Sequence, residues 1–175
     1  MANNIASKRG VQVEQDDLMQ FVGFMISSEM FAVDILMVQE IIRSAPITSV
    51  PNSPAFVEGV INLRGDIIPV VDLRKRLSLS GAGKTDKNWV IILEIDGRIT
   101  GFIVDHVTEV MKIDEATIEP APEILVSDLE SQYIKGVCDI GSNLVVLLDF
   151  SRILLVEEIK KLKDMDGIEE AVMDS

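Results

Sequence analysis

A chain of 175 residues with a formal net charge of −13 repels phosphate backbones, and its basic residues are few, with a short run at Arg74-Lys75-Arg76, so no nucleic acid partner is expected. Hydrophobic residues make up 47% and aromatic ones only 5%, which predicts a core of valine, isoleucine and leucine and a mostly β fold of single-domain size. The opening MANNIASKRG lacks the apolar stretch of a secretory signal and no apolar run approaches the roughly 20 residues that cross a bilayer, so a cytoplasmic location with no direct membrane insertion is expected.

Residues 1–17 are polar and acidic without periodicity and read as a mobile tail. Phe21 to Ile26, a turn at Ser27-Ser28-Glu29, and Met30 to Val33 then make a first hairpin. Asp34 to Met37 is expected to form a short helical turn. After it Val38, Glu40 and Ile42 alternate with Gln39, Ile41 and Arg43 along a strand, which turns Glu40 away from Ile41. Three prolines between Ala45 and Pro54 mark a stiff loop.

The stretch Phe56 to Leu77, FVEGVINLRGDIIPVVDLRKRL, organises the rest. Val57, Ile61 and Leu63 alternate with Glu58, Asn62 and Arg64, as in a half-buried strand; a turn at Gly65-Asp66 follows, and Ile67 to Val71 return as an arm apolar on both faces. Arg64 stands at the tip. Leu73 to Leu77 read as one helical turn, and Ser78 to Asn88 as a polar linker.

From Trp89 the order of elements recurs: Val90 to Ile95, a turn at Asp96-Gly97, Ile99 to Val104, then a strand over Val107 to Ile113. Shifting Phe56 to Leu77 by 77 positions, without gaps, lands on Tyr133 to Leu154 and aligns Gly59 with Gly136, Asp72 with Asp149 and Leu77 with Leu154. A weaker echo sets Phe31-Ala32-Val33-Asp34 over Phe102-Ile103-Val104-Asp105. Two copies of a roughly five-stranded unit are therefore expected, each closed into a small barrel that removes exposed strand edges. The all-apolar arms at Ile67–Val71 and Leu144–Leu148 predict that the two lobes share one hydrophobic core. The first lobe is expected over about 18–80 and the second over about 88–150. A C-terminal helix over 151–163 is expected, capped by Ser151 and ended by Gly167, with an acidic tail over 164–175.

Chemistry is sparse. Gly81-Ala82-Gly83-Lys84-Thr85 imitates the end of a phosphate-binding loop, but Ser78 stands where the first glycine belongs and the flanking strand and helix are missing, so a linker is the better reading. His106 is the only histidine and Cys138 the only cysteine; no catalytic residue, metal site or cofactor is expected, and Cys138 reads as a packing residue in a reducing compartment. The methionines mostly read as core filler. Glu40 and Arg64 both lie on polar strand faces, where adjacent strands would let them pair beside a groove, with Val38 and Gly59 as further candidates.

The block Gly59, Asn62, Leu63, Arg64, Gly65, Pro69, Val71 and Asp72 resembles the CheW family of chemotaxis adaptor proteins, whose pattern reads GV-NLRG-I-PVVDLR. The resemblance extends through Val33–Ile41, Pro51–Gly59, Phe102–Val110 and Glu119–Glu123, over about Leu18 to Leu155. It implies a pair of SH3-like five-stranded β-barrels and a non-enzymatic adaptor that joins the cytoplasmic domains of methyl-accepting chemoreceptors to the regulatory domain of the histidine kinase CheA. Further CheW-like domains would join it in arrays at the inner face of the membrane. The residues it assigns to receptor or kinase binding are Val38, Glu40, Gly59, Arg64 and Val110. The alternatives are a CheW-like scaffold of a non-flagellar chemosensory pathway, a truncated relative, a small nucleotide-binding enzyme using Lys84, and a ligand-binding β-barrel.

Overall fold

The computed structural model describes residues 18–77, 79, 88–120 and 133–153. Within them the strands are β1 (Leu18–Ile26), β2 (Glu29–Asp34), β3 (Val38–Arg43), β4 (Val57–Leu63), β5 (Asp66–Asp72), β6 (Trp89–Ile95), β7 (Arg98–Val104), β8 (His106–Asp114), β9 (Ile134–Ile140) and β10 (Asn143–Leu148). Two single-turn helices, α1 (Leu73–Arg76) and α2 (Phe150–Ile153), follow β5 and β10, and 3-10 turns occupy Ile35–Met37 and Glu115–Thr117.

Local chemistry fixes the junctions. Arg64 and Gly65, at φ 52° and 90°, form the two-residue turn between β4 and β5, a left-handed geometry that matches strand twist. The turn thus falls one residue earlier than Gly65-Asp66, and the Asn62 carboxamide steadies it by accepting the Gly65 N–H at 2.9 Å. Asp34 caps the first 3-10 turn by accepting the Leu36 N–H at 2.9 Å, and Asp72 caps α1 by accepting from Arg74 at 3.0 Å and Lys75 at 3.4 Å.

The strands assemble as two five-stranded sheets, β8-β1-β2-β10-β9 and β3-β6-β7-β5-β4. Each sheet therefore takes strands from both sequence repeats. The hairpin β1–β2 joins β8, β9 and β10, whereas β6–β7 joins β3, β4 and β5, through the parallel pairs β2–β10 and β5–β7. The division into lobes at residues 80–88 is corrected accordingly: the second sheet is built within Val38–Val104, and the first from the segments on either side. The physical reason lies in the connections. One 3-10 turn separates β2 from β3 and Asp105 alone separates β7 from β8, and neither loops the chain back as a hairpin turn does, so the next strand enters the other sheet.

In each sheet one outer strand, β4 or β9, is tied by a single backbone bridge to the segment that follows the other outer strand, β3 or β8. Thr48 and Val60 exchange N–H to carbonyl bonds of 2.9 and 2.8 Å, and Glu119 and Val137 do the same at 2.9 and 2.8 Å. Closure is possible because Gly59 and Gly136, the repeat-related glycines, sit under these seams. A Cβ on Gly59 would fall 2.0 Å from the Thr48 carbonyl oxygen, and one on Gly136 would fall 2.5 Å from the Ile118 side chain. The lobes are thus SH3-like, each drawn together by a one-residue seam and short of a fully closed barrel.

Alternation along the strands divides the apolar side chains among three cores. Phe21, Ala32, Met111, Ile113, Cys138, Val145 and Leu147 fill the first barrel, and Ile61, Ile68, Val70, Val90 and Ile92 fill the second. The opposite faces, including Val22, Phe24, Phe31, Val71, Ile91, Leu93, Phe102, Val146 and Leu148, meet in one larger core between the sheets. Double-faced burial explains the uninterrupted apolar runs. At the heart of the shared core Phe150 from α2 lies edge-on to Phe102 at 4.9 Å and 6.5 Å from Phe24, which stacks on Phe31 at 5.9 Å.

The repeat is visible in individual bonds. Asp72 N–H donates to the Phe56 carbonyl at 2.8 Å and, 77 positions on, Asp149 N–H donates to that of Tyr133 at 2.9 Å. Because α2 starts at Phe150, as α1 starts at Leu73, Ser151 lies inside the first turn instead of capping it. The predicted continuation of that helix to Lys163, both tails and the 80–87 linker stretch lie outside the described residues.

Two substitutions check this arrangement. Gly59→Ala must displace the seam and hold alanine at φ 154°, and is expected to cost about 3 kcal/mol or more by urea denaturation. Thr100 faces the shared core opposite Leu93, and its buried hydroxyl has no hydrogen-bond partner among the described residues; Thr100→Val is expected to be neutral or to stabilise by up to about 1 kcal/mol in the same assay.

Candidate docking surface

The strands β3 and β8 each lie at the end of a sheet, and their registers decide which side chains reach the rim of the shared core. On β3, Val38 opposes Leu93 and Ile41 opposes Ile91, both shared-core residues, while Arg43 opposes Trp89 and lies over its ring at 5.3 Å. An irregularity at Gln39 sets Glu40 opposite Ile92, which lines the barrel. Val38 and Glu40 therefore fall on opposite faces, although simple alternation put them on the same one. On β8, Val107 and Val110 oppose Phe24 and Val22, again on the shared-core side. Ile41 remains 37% exposed and Val110 53% exposed, so apolar surface of the shared core reaches solvent along both edge strands.

Glu40 and Arg64 meet. The Arg64 Nη1 donates to Glu40 Oε1 at 3.2 Å and Nη2 lies 3.1 Å from Oε2, a two-pronged pair that raises the pKa of the guanidinium, through the hydrogen bond first and charge attraction second. Their strands are not neighbours in the sheet order; the Thr48–Val60 seam brings the tip of β4–β5 round to β3. With the Arg64 side chain 73% exposed, the pair orients charge at the surface more than it stabilises the fold. Gly59 is buried beneath Thr48 and shapes this seam instead of presenting a surface.

Of the five residues singled out from the sequence, Glu40 and Arg64 are in contact, Val38 lies on the same strand at the core edge, Gly59 supports the seam, and Val110 stands on the other sheet. Sequence reading missed Ile41. Its counterpart Ile91 lies far along the chain, and only the register reveals that both face the shared core. Leu36, held on its 3-10 turn by Asp34, is also conspicuously exposed.

Among the described residues no group of three or more His, Cys, Asp or Glu could hold a metal ion, and no helix is long and apolar enough to cross a membrane. His106 is exposed at the start of β8, and Cys138 is buried with its sulfur 3.6 Å from the Thr117 hydroxyl. The Gly81–Thr85 stretch, including Lys84, lies outside the described residues.

Comparison with known proteins agrees with this geometry. The family model described as a CheW-like domain matches residues 20–158. The chain is 36% identical over 140 residues to the chemotaxis protein CheW of Klebsiella aerogenes, covering 80% of this chain and 84% of that one. It is 37% identical over 146 residues to CheW of Thermotoga maritima, covering 82% and 93%. It is also 27% identical over 152 residues to Protein FrzA of Myxococcus xanthus, covering 86% and 94%. The crystal structure of the scaffolding protein TtCheW from Thermoanaerobacter tengcongensis superposes with a TM-score of 0.74 at 36% identity, covering 81% of this chain and 95% of that one. Two SH3-like lobes on a common core and a family match across most of the sequence lead to one conclusion: the chain belongs to the CheW family and is a non-enzymatic chemotaxis scaffold.

Proposed function

We propose that the protein couples the cytoplasmic domains of chemoreceptors to the regulatory domain of the histidine kinase CheA. The observation that carries this reading is the apolar surface of the shared core left exposed along the edge strands β3 and β8, with the Glu40–Arg64 pair on the first of them. A receptor helix laid along that rim would seat its apolar face against Val38, Ile41 and Val110, in the helix-in-groove mode, while Arg64 and Glu40 fix its register by charge.

The barrel surfaces away from the rim are free to meet the kinase domain and further CheW-like domains. Several modest interfaces held together in an array gain strength through effective concentration, so a small receptor movement can reach the kinase without any chemistry in the scaffold. Such a protein works in the cytoplasm and is recruited to receptor arrays at the inner face of the membrane. Similarity to relatives named as chemotaxis proteins supports the assignment.

Co-sedimentation with a receptor cytoplasmic fragment, with and without the kinase, tests the reading. Ile41→Asp and Val110→Asp each place a charge where a helix would bury a methyl group, and each is expected to weaken receptor capture by about ten-fold or more while leaving the folded structure intact. Arg64→Glu sets two carboxylates together and is expected to reduce receptor capture and receptor-coupled kinase activity, with little change in melting temperature. Unchanged capture by all three variants would remove the rim as the receptor site.

A further inference from the structure

The basic run Arg74-Lys75-Arg76 lies on α1 between the two barrels, and each of its residues has a defined partner. The Lys75 ammonium pairs with Glu58 of the same barrel, a hydrogen bond that raises the lysine pKa. Arg74 reaches instead to Asp105, the single residue through which the chain passes from β7 in one sheet to β8 in the other. The second carboxylate oxygen of Asp105 accepts the Ser27 N–H at 2.6 Å, and its own N–H donates to the Met25 carbonyl at 3.0 Å, so the network continues into the β1–β2 hairpin of the first sheet.

Arg76 crosses the boundary in a second way. Its guanidinium lies 5.4 Å from the centroid of Phe56 and 4.9 Å from that of Tyr133. These rings belong to repeat-related residues, one at the entrance to β4 in the second sheet and one at the entrance to β9 in the first, and the backbone carbonyls of the same residues hold Asp72 at the end of β5 and Asp149 just past β10. A single cation thus sits between the two equivalent doorposts of the lobes. The matching position on α2 is Ile153, fully buried in the shared core, so one side of the junction is joined by hydrophobic burial and the other by directional charge contacts.

The geometry points to Arg74 and Arg76 as positioning residues that set the separation of the two barrels, and with it the spacing of the exposed apolar edges at β3 and β8. Lys75, on the same helix but paired within one barrel, has no part in this. The consequence for receptor docking rests on the function proposed above; the separation itself can be read with no partner present.

The test is electron–electron spin-label distance measurement on the full chain in a Cys138→Ala background, with labels at Glu94→Cys on β6 and Lys112→Cys on β8, both exposed. Arg76→Met keeps the apolar stem and removes the cation, and Asp105→Asn removes the anion that faces Arg74. Each is expected to broaden the distance distribution and move its mean, at unchanged circular dichroism, whereas Arg76→Lys and Lys75→Met retain the parent distribution. Should Arg76→Met fail to fold, Tyr133→Leu removes the ring face from the other side and carries the same expectation. Distributions that superimpose on the parent for both Asp105→Asn and whichever clamp variant folds would overturn the proposal, as would an equal broadening by Lys75→Met. Receptor capture by Ile41→Asp reports separately on the docking rim, so the two readings fail independently.

Discussion

Burial of the central strands on both faces is the constraint on which the rest of this molecule depends. A strand such as β10 offers Val145 and Leu147 to the interior of its own barrel and Val146 and Leu148 to the neighbouring one. A small barrel has room for little more than a single plug of side chains, and the larger share of the burial here is between the sheets. Fusion of the lobes therefore accounts for the aliphatic composition, the uninterrupted apolar runs and the cluster of phenylalanines where the sheets meet.

Strand exchange makes that fusion harder to undo. Because β1–β2 completes the sheet of β8, β9 and β10 while β6–β7 completes that of β3, β4 and β5, neither sequence repeat holds a complete sheet by itself. Separating the repeats would expose open ladders as well as apolar faces, and both carry a cost in water. For a scaffold this matters, because a protein that transmits force or position between partners has to keep its surfaces in fixed relation without a catalytic framework to stiffen it.

The near-symmetry of the repeats is broken where function would need it to be. The seams at Thr48–Val60 and Glu119–Val137 are equivalent in their hydrogen bonds, and Gly59 and Gly136 permit both. Yet the turn beside the first seam carries Arg64, bound to Glu40, and its counterpart at Gly141 has no side chain to bind with. Likewise Arg76 of α1, set against Phe56 and Tyr133, is matched in α2 by Ile153, buried in the shared core. One architecture copied twice so acquires two sides that differ in their charged contacts.

Much of this was legible in the chain itself. Turn chemistry located the hairpins, the 77-residue shift exposed the duplication, all-apolar arms announced a common core, and the polar faces of two strands nominated Glu40 and Arg64. Each of these rests on contacts between near neighbours or on a pattern of period two, which a sequence carries directly. Which strands lie side by side was decided only by the tertiary structure, since pairings such as β2 with β10 join residues more than a hundred positions apart and connector length alone does not name the partner strand. The same reason kept Ile41 hidden, reversed the face expected for Val38 relative to Glu40, and assigned the basic run to the boundary between barrels: in each case a long-range register, absent from any local pattern, determines what the side chain meets.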